Sequence, residues 1–159
     1  MSSEANRIII ATRKSPLALR QAEAASMALS DRLGLDTELA PMSTTGDKQA
    51  TWSLQERGGK GLFTKELEHA VLEGRADLAV HSAKDLPTEM PEGLVLAGFL
   101  PREDPRDVLI IREEVKDPKV LATGSPRRRA QLSDRFPETA WVELRGNVET
   151  RLLRIAELH

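Results

Sequence analysis

The sequence predicts an α/β protein built as two small domains, and three observations lead there. Short aliphatic and β-branched runs recur at residues 7–12, 37–42, 78–80, 94–99, 108–111, 120–123 and 141–144, each of strand length. Between several of them lie stretches whose apolar residues repeat every three or four positions, the spacing of a helix with one buried face. Residues 101–107 then interrupt the alternation with two prolines and five charges in seven positions, a composition that suits a hinge. A chain of 159 residues is long enough to bury a core in one domain or two small ones. The boundaries expected are 1–100 for the first domain, 101–107 for the hinge and 108–159 for the second.

Taken in order, residues 7–12 form a buried strand that runs into Arg13, Lys14, Ser15 and Pro16. Ser15 suits a helix N-cap and Pro16 the first helical position. Leu19, Ala22, Ser26, Leu29 and Leu33 supply one packing face, and Gly34 a stop. A second strand at 37–42 leads into a polar loop over 43–55. Gly58, Gly59, Lys60 and Gly61 follow, and this stretch reads equally as a mobile loop or as a backbone able to approach an anion; the Walker spacing is absent. A helix over 62–73 comes next, with Phe63, Leu67, Ala70 and Val71 on its core side and Gly74 at its end.

The third strand stops abruptly at Ser82, Lys84 and Asp85, and Pro87 prevents it from continuing. In open α/β proteins ligands sit just outside the carboxyl ends of strands. Lys84 and Asp85 are therefore either a solvated turn with a surface ion pair or part of an active site. A fourth strand is expected at 94–99. Beyond the hinge, strands at 108–111 and 120–123 precede Ser125 and Pro126, a second cap-and-proline junction, with Arg127, Arg128 and Arg129 in the first turn of the helix. A strand at 141–144 runs into Arg145, Gly146 and Asn147, the last able to cap a final helix carrying Leu152, Leu153 and Ile155.

Composition excludes several classes. The chain has no cysteine, which removes disulfides, thiolate metal sites and cysteine nucleophiles. His69, His81 and His159 have no metal-ligand spacing and suit ordinary structural roles. A formal net charge of −2, with two Trp, three Phe and no Tyr, argues against nucleic acid, which needs positive potential and stacking rings. No apolar run approaches a membrane span and no leader pattern opens the chain, so a cytoplasmic protein is expected; a monomer is the expected oligomeric state.

The basic residues Arg13, Lys14, Lys60, Lys84, Arg127, Arg128 and Arg145 fall at expected strand-to-helix junctions. Arginine in a helix's first turn opposes the helix dipole, a cost that a bound anion would offset. The pattern points to a basic cleft for a polycarboxylate or polyphosphate gripped by guanidinium forks. Asp47 and Asp85 are the carboxylates at these junctions, and Asp85 suits binding an N–H or steadying a developing cation.

Five segments carry a resemblance: IATRKSPLAL at 10–19, GGKGLFTKELE at 58–68, AVHSAKDLP at 79–87, REDPRD at 102–107 and LRGNV at 144–148. In this order the chain resembles the porphobilinogen deaminase family, also called the hydroxymethylbilane synthases, over the first half of the family's pattern. The resemblance implies two domains of the type 2 periplasmic-binding-protein kind joined by a hinge. It also implies a transferase of tetrapyrrole and heme biosynthesis that condenses four porphobilinogen molecules, releasing ammonia, on a dipyrromethane primer. The position of Asp85 matches the residue that acts on pyrrole nitrogens and the leaving amine, with Lys84 beside it. Arg13, Ser15, Lys60, Lys84, Arg127, Arg128, Arg145 and Arg151 match positions that hold acetate and propionate groups, and Ser82, Thr123 and Ser125 match smaller polar contacts. Asp47 and Phe63 complete the candidate set as loop residues.

The chain also departs from that pattern. The family's primer hangs by a thioether from a cysteine in a third domain, and this sequence has neither, so no covalent primer and no full turnover are expected of it alone. Gly124, Ser125 and Pro126 stand where the family has two serines and an apolar residue, removing one hydroxyl. Glu56 replaces a basic residue, with Arg57 next to it, and Glu149 replaces a glycine between Asn147 and Arg151. A non-catalytic module that binds pyrrole carboxylates is the alternative reading.

Overall fold

The computed structural model describes residues 7–48 and 63–155, and the chain divides into two compact units, Met1–Glu103 and Asp104–His159. In the first, strand β1 (Ile8–Arg13) is central in a three-stranded parallel sheet of order β2-β1-β3. Its neighbours are β2 (Thr37–Met42), in register from Ile8 opposite Thr37 to Arg13 opposite Met42, and β3 (Leu78–Ala79), opposite Ile10 and Ala11. Parallel neighbours require crossovers, and helix α1 (Pro16–Leu33) supplies the one between β1 and β2.

Alternation along β1 shows how the sheet is covered. Ala11 belongs to a core cluster with Leu67, Ala70 and Ala76, against which Ile9 packs; Leu67 and Ala70 come from helix α3 (Lys65–Leu72). Thr12, one residue on and so on the other face, donates from its hydroxyl to the carbonyl of Ala18 in α1 at 3.2 Å. Helices thus lie on both faces, which explains why β1 reads as a continuous apolar run rather than an alternating one. Asp77 locks the β3 side: its carboxylate accepts from the Ile9 N–H at 2.7 Å, and its own N–H donates to the Ile9 carbonyl at 2.9 Å. Ser26 and Thr37, with hydroxyls 2.6 Å apart, tie α1 to β2.

The α1 boundaries follow the sequence signals. Ser15 accepts from the Ala18 N–H, Pro16 opens the helix, and Gly34 closes it at φ 64°. Its buried face is shorter than expected, because Leu33, the last helical residue, is exposed. The polar loop expected after β2 begins with a short helix, α2 (Thr45–Lys48); Thr45 donates from its N–H and its hydroxyl to the carboxylate of Glu66, which fixes this turn against α3. Phe63 precedes α3 instead of lying on its core face. Lys60 and the glycines around it fall outside the described residues, as do Glu56 and Arg57.

The two strands expected at 94–99 and 108–111 do not form. Residues 95–112 have no regular structure, and Val95 and Val108 are more than four-fifths exposed. β-propensity expresses fit to a half-buried pleated surface. Among the described residues no neighbouring strand offers these runs that surface or pairs their backbone groups.

In the second unit β4 (Val120–Ala122) and β5 (Ala140–Val142) pair in parallel, with Leu121 opposite Trp141. Helix α4 (Pro126–Ser133) connects them, and α5 (Val148–Ile155) follows β5. Asn147 caps α5, its side-chain oxygen accepting from the Thr150 N–H at 2.8 Å. Leu121 is the one buried hydrophobic residue of this unit among those described. No helix among the described residues is long and apolar enough to cross a membrane.

Gly34 sits in the left-handed region with nothing near the position a Cβ would take, so backbone strain alone decides its replacement. Gly34→Ala should lower stability by about 1–2 kcal/mol, read as a shift in the urea midpoint, and Gly34→Asn should cost less. Equal stability of Gly34→Ala and the parent protein would refute this account.

Candidate functional site

In the first unit the site is assembled at the carboxyl ends of β1 and β3. Arg13 is the last residue of β1, and Asp85 lies in a 3-10 turn (Ala83–Asp85) just beyond β3. Because the two strands are adjacent and parallel, their ends place the guanidinium Nη1 3.9 Å from the Asp85 carboxylate, with each side chain about one-fifth exposed (21% and 23%). Asp85 therefore pairs with a cation brought by the fold, and the adjacent Lys84 side chain is exposed. The bland reading of a local Lys84–Asp85 pair gives way to a half-buried carboxylate under an arginine.

The Phe63 ring also lies against Arg13, with its centroid 4.3 Å from the guanidinium carbon. Such stacking is a favourable cation–π contact and holds the guanidinium plane. Gly46 makes room for it, since a Cβ there would run into that ring. Asp47 follows in α2, but its side chain lies outside the described residues. Ser15 accepts from the Ala18 N–H at 3.3 Å, and Ser82 donates from its hydroxyl to the Gln21 side-chain oxygen at 3.0 Å. Both serines thus have structural partners at the rim of the site, and Gln21 is a positioning residue that the sequence pattern did not single out.

His81 lies within the field of this cluster. Burial holds its imidazole below the ordinary value of 6.5; the carboxylates of Glu68 and Asp85 oppose that shift, and Arg13 adds to it. Glu68 is almost fully buried (8% exposed), and its Oε1 has no hydrogen-bond partner among the described residues. Sequence periodicity puts Leu67, Ala70 and Val71 on the packing face and does not single out Glu68, which lies off that face and is buried only by the fold.

In the second unit the cations meet internal acceptors. Arg127 donates from Nη2 to one oxygen of Asp107 at 2.9 Å and from Nη1 to Gln131 at 2.7 Å. Arg128 donates from Nε to the other Asp107 oxygen at 3.0 Å, and its Nη2 lies 2.8 Å from that same atom. These two arginines, Arg128 foremost, hold the Asp107 carboxyl below the usual carboxylate range. Arg145 donates from Nε to Glu143 at 2.9 Å, and Arg151 donates from Nε to the Gly146 carbonyl at 2.8 Å. The first-turn arginines Arg127 and Arg128 are thus met by Asp107, a carboxylate from within the chain.

Thr123 and Ser125 shape the same junction. The Thr123 hydroxyl oxygen accepts from the Ser125 N–H at 3.1 Å, and the Ser125 hydroxyl oxygen accepts from the Arg128 N–H at 3.4 Å. Each keeps its own O–H to donate elsewhere. Gly124 between them has a physical reason as well, because a Cβ there would stand 2.8 Å from the Leu144 carbonyl oxygen. Glu149 is exposed on the first turn of α5.

The lowered imidazole of His81 has a consequence for stability. An unfolded chain binds the proton more readily than the folded one, so stability is full above the ordinary value of 6.5 and falls as the pH drops toward the lower folded value. Urea titrations between neutral and mildly acid pH should show this loss, and His81→Gln should flatten that part of the curve. An unchanged slope in the variant would show that other groups carry the dependence.

Residues 8–159 match the family model described as porphobilinogen deaminase, dipyromethane cofactor binding domain. The chain is 48% identical over 156 residues to the chloroplastic porphobilinogen deaminase of Euglena gracilis, an alignment covering 92% of this chain and 32% of that protein. It is 47% identical over 156 residues to the porphobilinogen deaminase of Chloroherpeton thalassium, covering 94% of this chain and 50% of the relative. The chain thus spans half or less of the length of these curated relatives. With a match over nearly its whole length, and with the sequence resemblance borne out, the chain belongs to the porphobilinogen deaminase family.

Proposed function

We propose that this chain forms the substrate-handling part of a transferase that joins porphobilinogen units head to tail into hydroxymethylbilane with release of ammonia. The observation that carries the reading is the half-buried Asp85 carboxylate, fixed at a strand end beneath Arg13 and reachable from solvent. In this reading the chain comprises a first domain at 1–100, a hinge at 101–107 and part of a second at 108–159. Both domains are of the periplasmic-binding type, in which parallel strand ends present the ligand site.

The chemistry asks a carboxylate to do two things. As the aminomethyl C–N bond of a substrate breaks, its electron pair leaves with the nitrogen, which departs as ammonia after taking up a proton. The pyrrole left behind is cationic. Asp85, accepting the pyrrole N–H, stabilises that charge as it develops, and a fixed carboxylate does so without the reorganisation that water would need. The next pyrrole's carbon then forms the new C–C bond, and a proton is lost from it. Arg13 holds Asp85 in place, while Lys84, exposed beside it, suits a substrate carboxylate.

Substrate carboxylates suit the guanidinium groups of Arg127, Arg128, Arg145 and Arg151, with the Thr123 and Ser125 hydroxyls as neutral donors. The same donor set fits the carboxylates of a dipyrromethane, which when bound supplies the pyrrole end to which the first substrate is joined. Covalent attachment through a thioether does not fit this chain, which has no cysteine. A monomer acting on a small pyrrole carboxylate in the cytoplasm, with no nucleic acid or membrane partner, is the setting this reading assumes.

Asp85 provides the test. Joined to the remaining length of the Chloroherpeton thalassium relative, this segment should consume porphobilinogen, and Asp85→Asn should lower kcat by about 100-fold or more, the scale of one lost electrostatic stabiliser. KM should change little. Unaltered turnover in the variant would remove Asp85 from the mechanism. Calorimetric titration of the chain itself should show porphobilinogen bound in preference to succinate, whereas equal affinities would favour a general carboxylate-binding module.

A further inference from the structure

The two oxygens of Asp107 are divided between Arg127 and Arg128, one to each guanidinium, the arrangement a ligand's carboxylate would adopt between them. We propose that Asp107 is a resident counter-carboxylate which a ligand carboxylate must displace, so that this residue sets the affinity of the arginine pair. The inference rests on the reading that Arg127 and Arg128 hold a carboxylate, and adds a residue whose effect on affinity is opposite to theirs.

Three features support displacement over simple scaffolding. Asp107 belongs to the stretch 95–112 without regular structure, so no strand or helix hydrogen bond must break for its side chain to swing away. All three side chains are open to solvent, with exposures of 38% for Asp107, 58% for Arg127 and 43% for Arg128, so another carboxylate can reach the same donors. Pairs this exposed are weak individually, and they exchange without a large desolvation penalty.

Co-occupancy is disfavoured on charge grounds. A second carboxylate on the same two guanidinium groups would stand close to the first, and like charges at such distances repel. The neighbouring Asp104 is engaged by Arg106, which donates to it from Nε at 2.9 Å and from its backbone N–H at 3.0 Å. The first turn of α4 carries three arginines against its own dipole. A carboxylate is therefore always favoured there, and Asp107 fills the place until a ligand arrives.

Calorimetric titration of the chain with porphobilinogen, and with succinate as a simple dicarboxylate, tests this. Asp107→Asn and Asp107→Ser should each bind roughly three- to tenfold tighter than the parent protein, the scale of two exposed ion pairs released. Circular dichroism should show both variants folded, as expected for an exposed side chain. Arg127→Gln with Arg128→Gln should weaken binding at least tenfold, and adding Asp107→Asn to that pair should give no further gain. If the arginine variant weakens binding while both Asp107 variants bind equally or less tightly, Asp107 is a scaffold and the displacement is wrong. If the arginine variant binds as the parent does, the carboxylate site itself lies elsewhere and both readings fall.

Discussion

The first unit depends on the double pairing of β1. Its backbone groups are bonded to β2 on one edge and to β3 on the other, and its faces are covered by α1 and α3. Such a strand has no freedom to slip, since a one-residue shift would move every side chain to the wrong face. The Asp77 carboxylate and N–H, both bonded to Ile9, pin the short β3 to that register. Among the described residues Arg13 and Asp85 stand at and just beyond the carboxyl ends of β1 and β3, so the register of those strands fixes where one stands relative to the other.

That placement turns an ordinary charge pair into a prepared one. A guanidinium with an aromatic ring on one side and a carboxylate on another is held in orientation by geometry rather than by attraction alone. The packing that achieves this is local: Gly46 leaves space for the Phe63 ring, and Glu66 anchors Thr45 against α3. Ser15 does a second duty, since the hydroxyl oxygen that caps α1 also stands at the junction where Arg13 emerges.

The second unit follows another principle. Four of its arginines are met from within: Arg127 and Arg128 by Asp107, Arg145 by Glu143, and Arg151 by the Gly146 carbonyl. These contacts are largely exposed and so contribute little stability, but they define side-chain orientations and the state from which any ligand starts. A basic site with internal counter-charges remains consistent with a chain of near-neutral net charge, −2 overall.

Local signals sufficed for α1, capped by Ser15, opened by Pro16 and closed by Gly34, and for α4 and α5, capped by Ser125 and Asn147, because caps are short-range chemistry between neighbours. The runs that became β1, β2, β4 and β5 were legible for the same reason, and the five ordered segments made the family recognisable. Equally apolar runs at 94–99 and 108–111 were not strands, because a strand exists only with a partner, and partnership is not written in the run itself. Phe63 likewise left its expected helical face to lie under Arg13. The sequence by itself determined which charged and hydroxyl side chains fall near strand ends and helix starts, Asp85, the arginines and the serines among them. Only the tertiary structure decided their partners, giving Arg13 to Asp85 and Asp107 to Arg127 and Arg128, because ion pairs form through space and their members lie far apart along the chain.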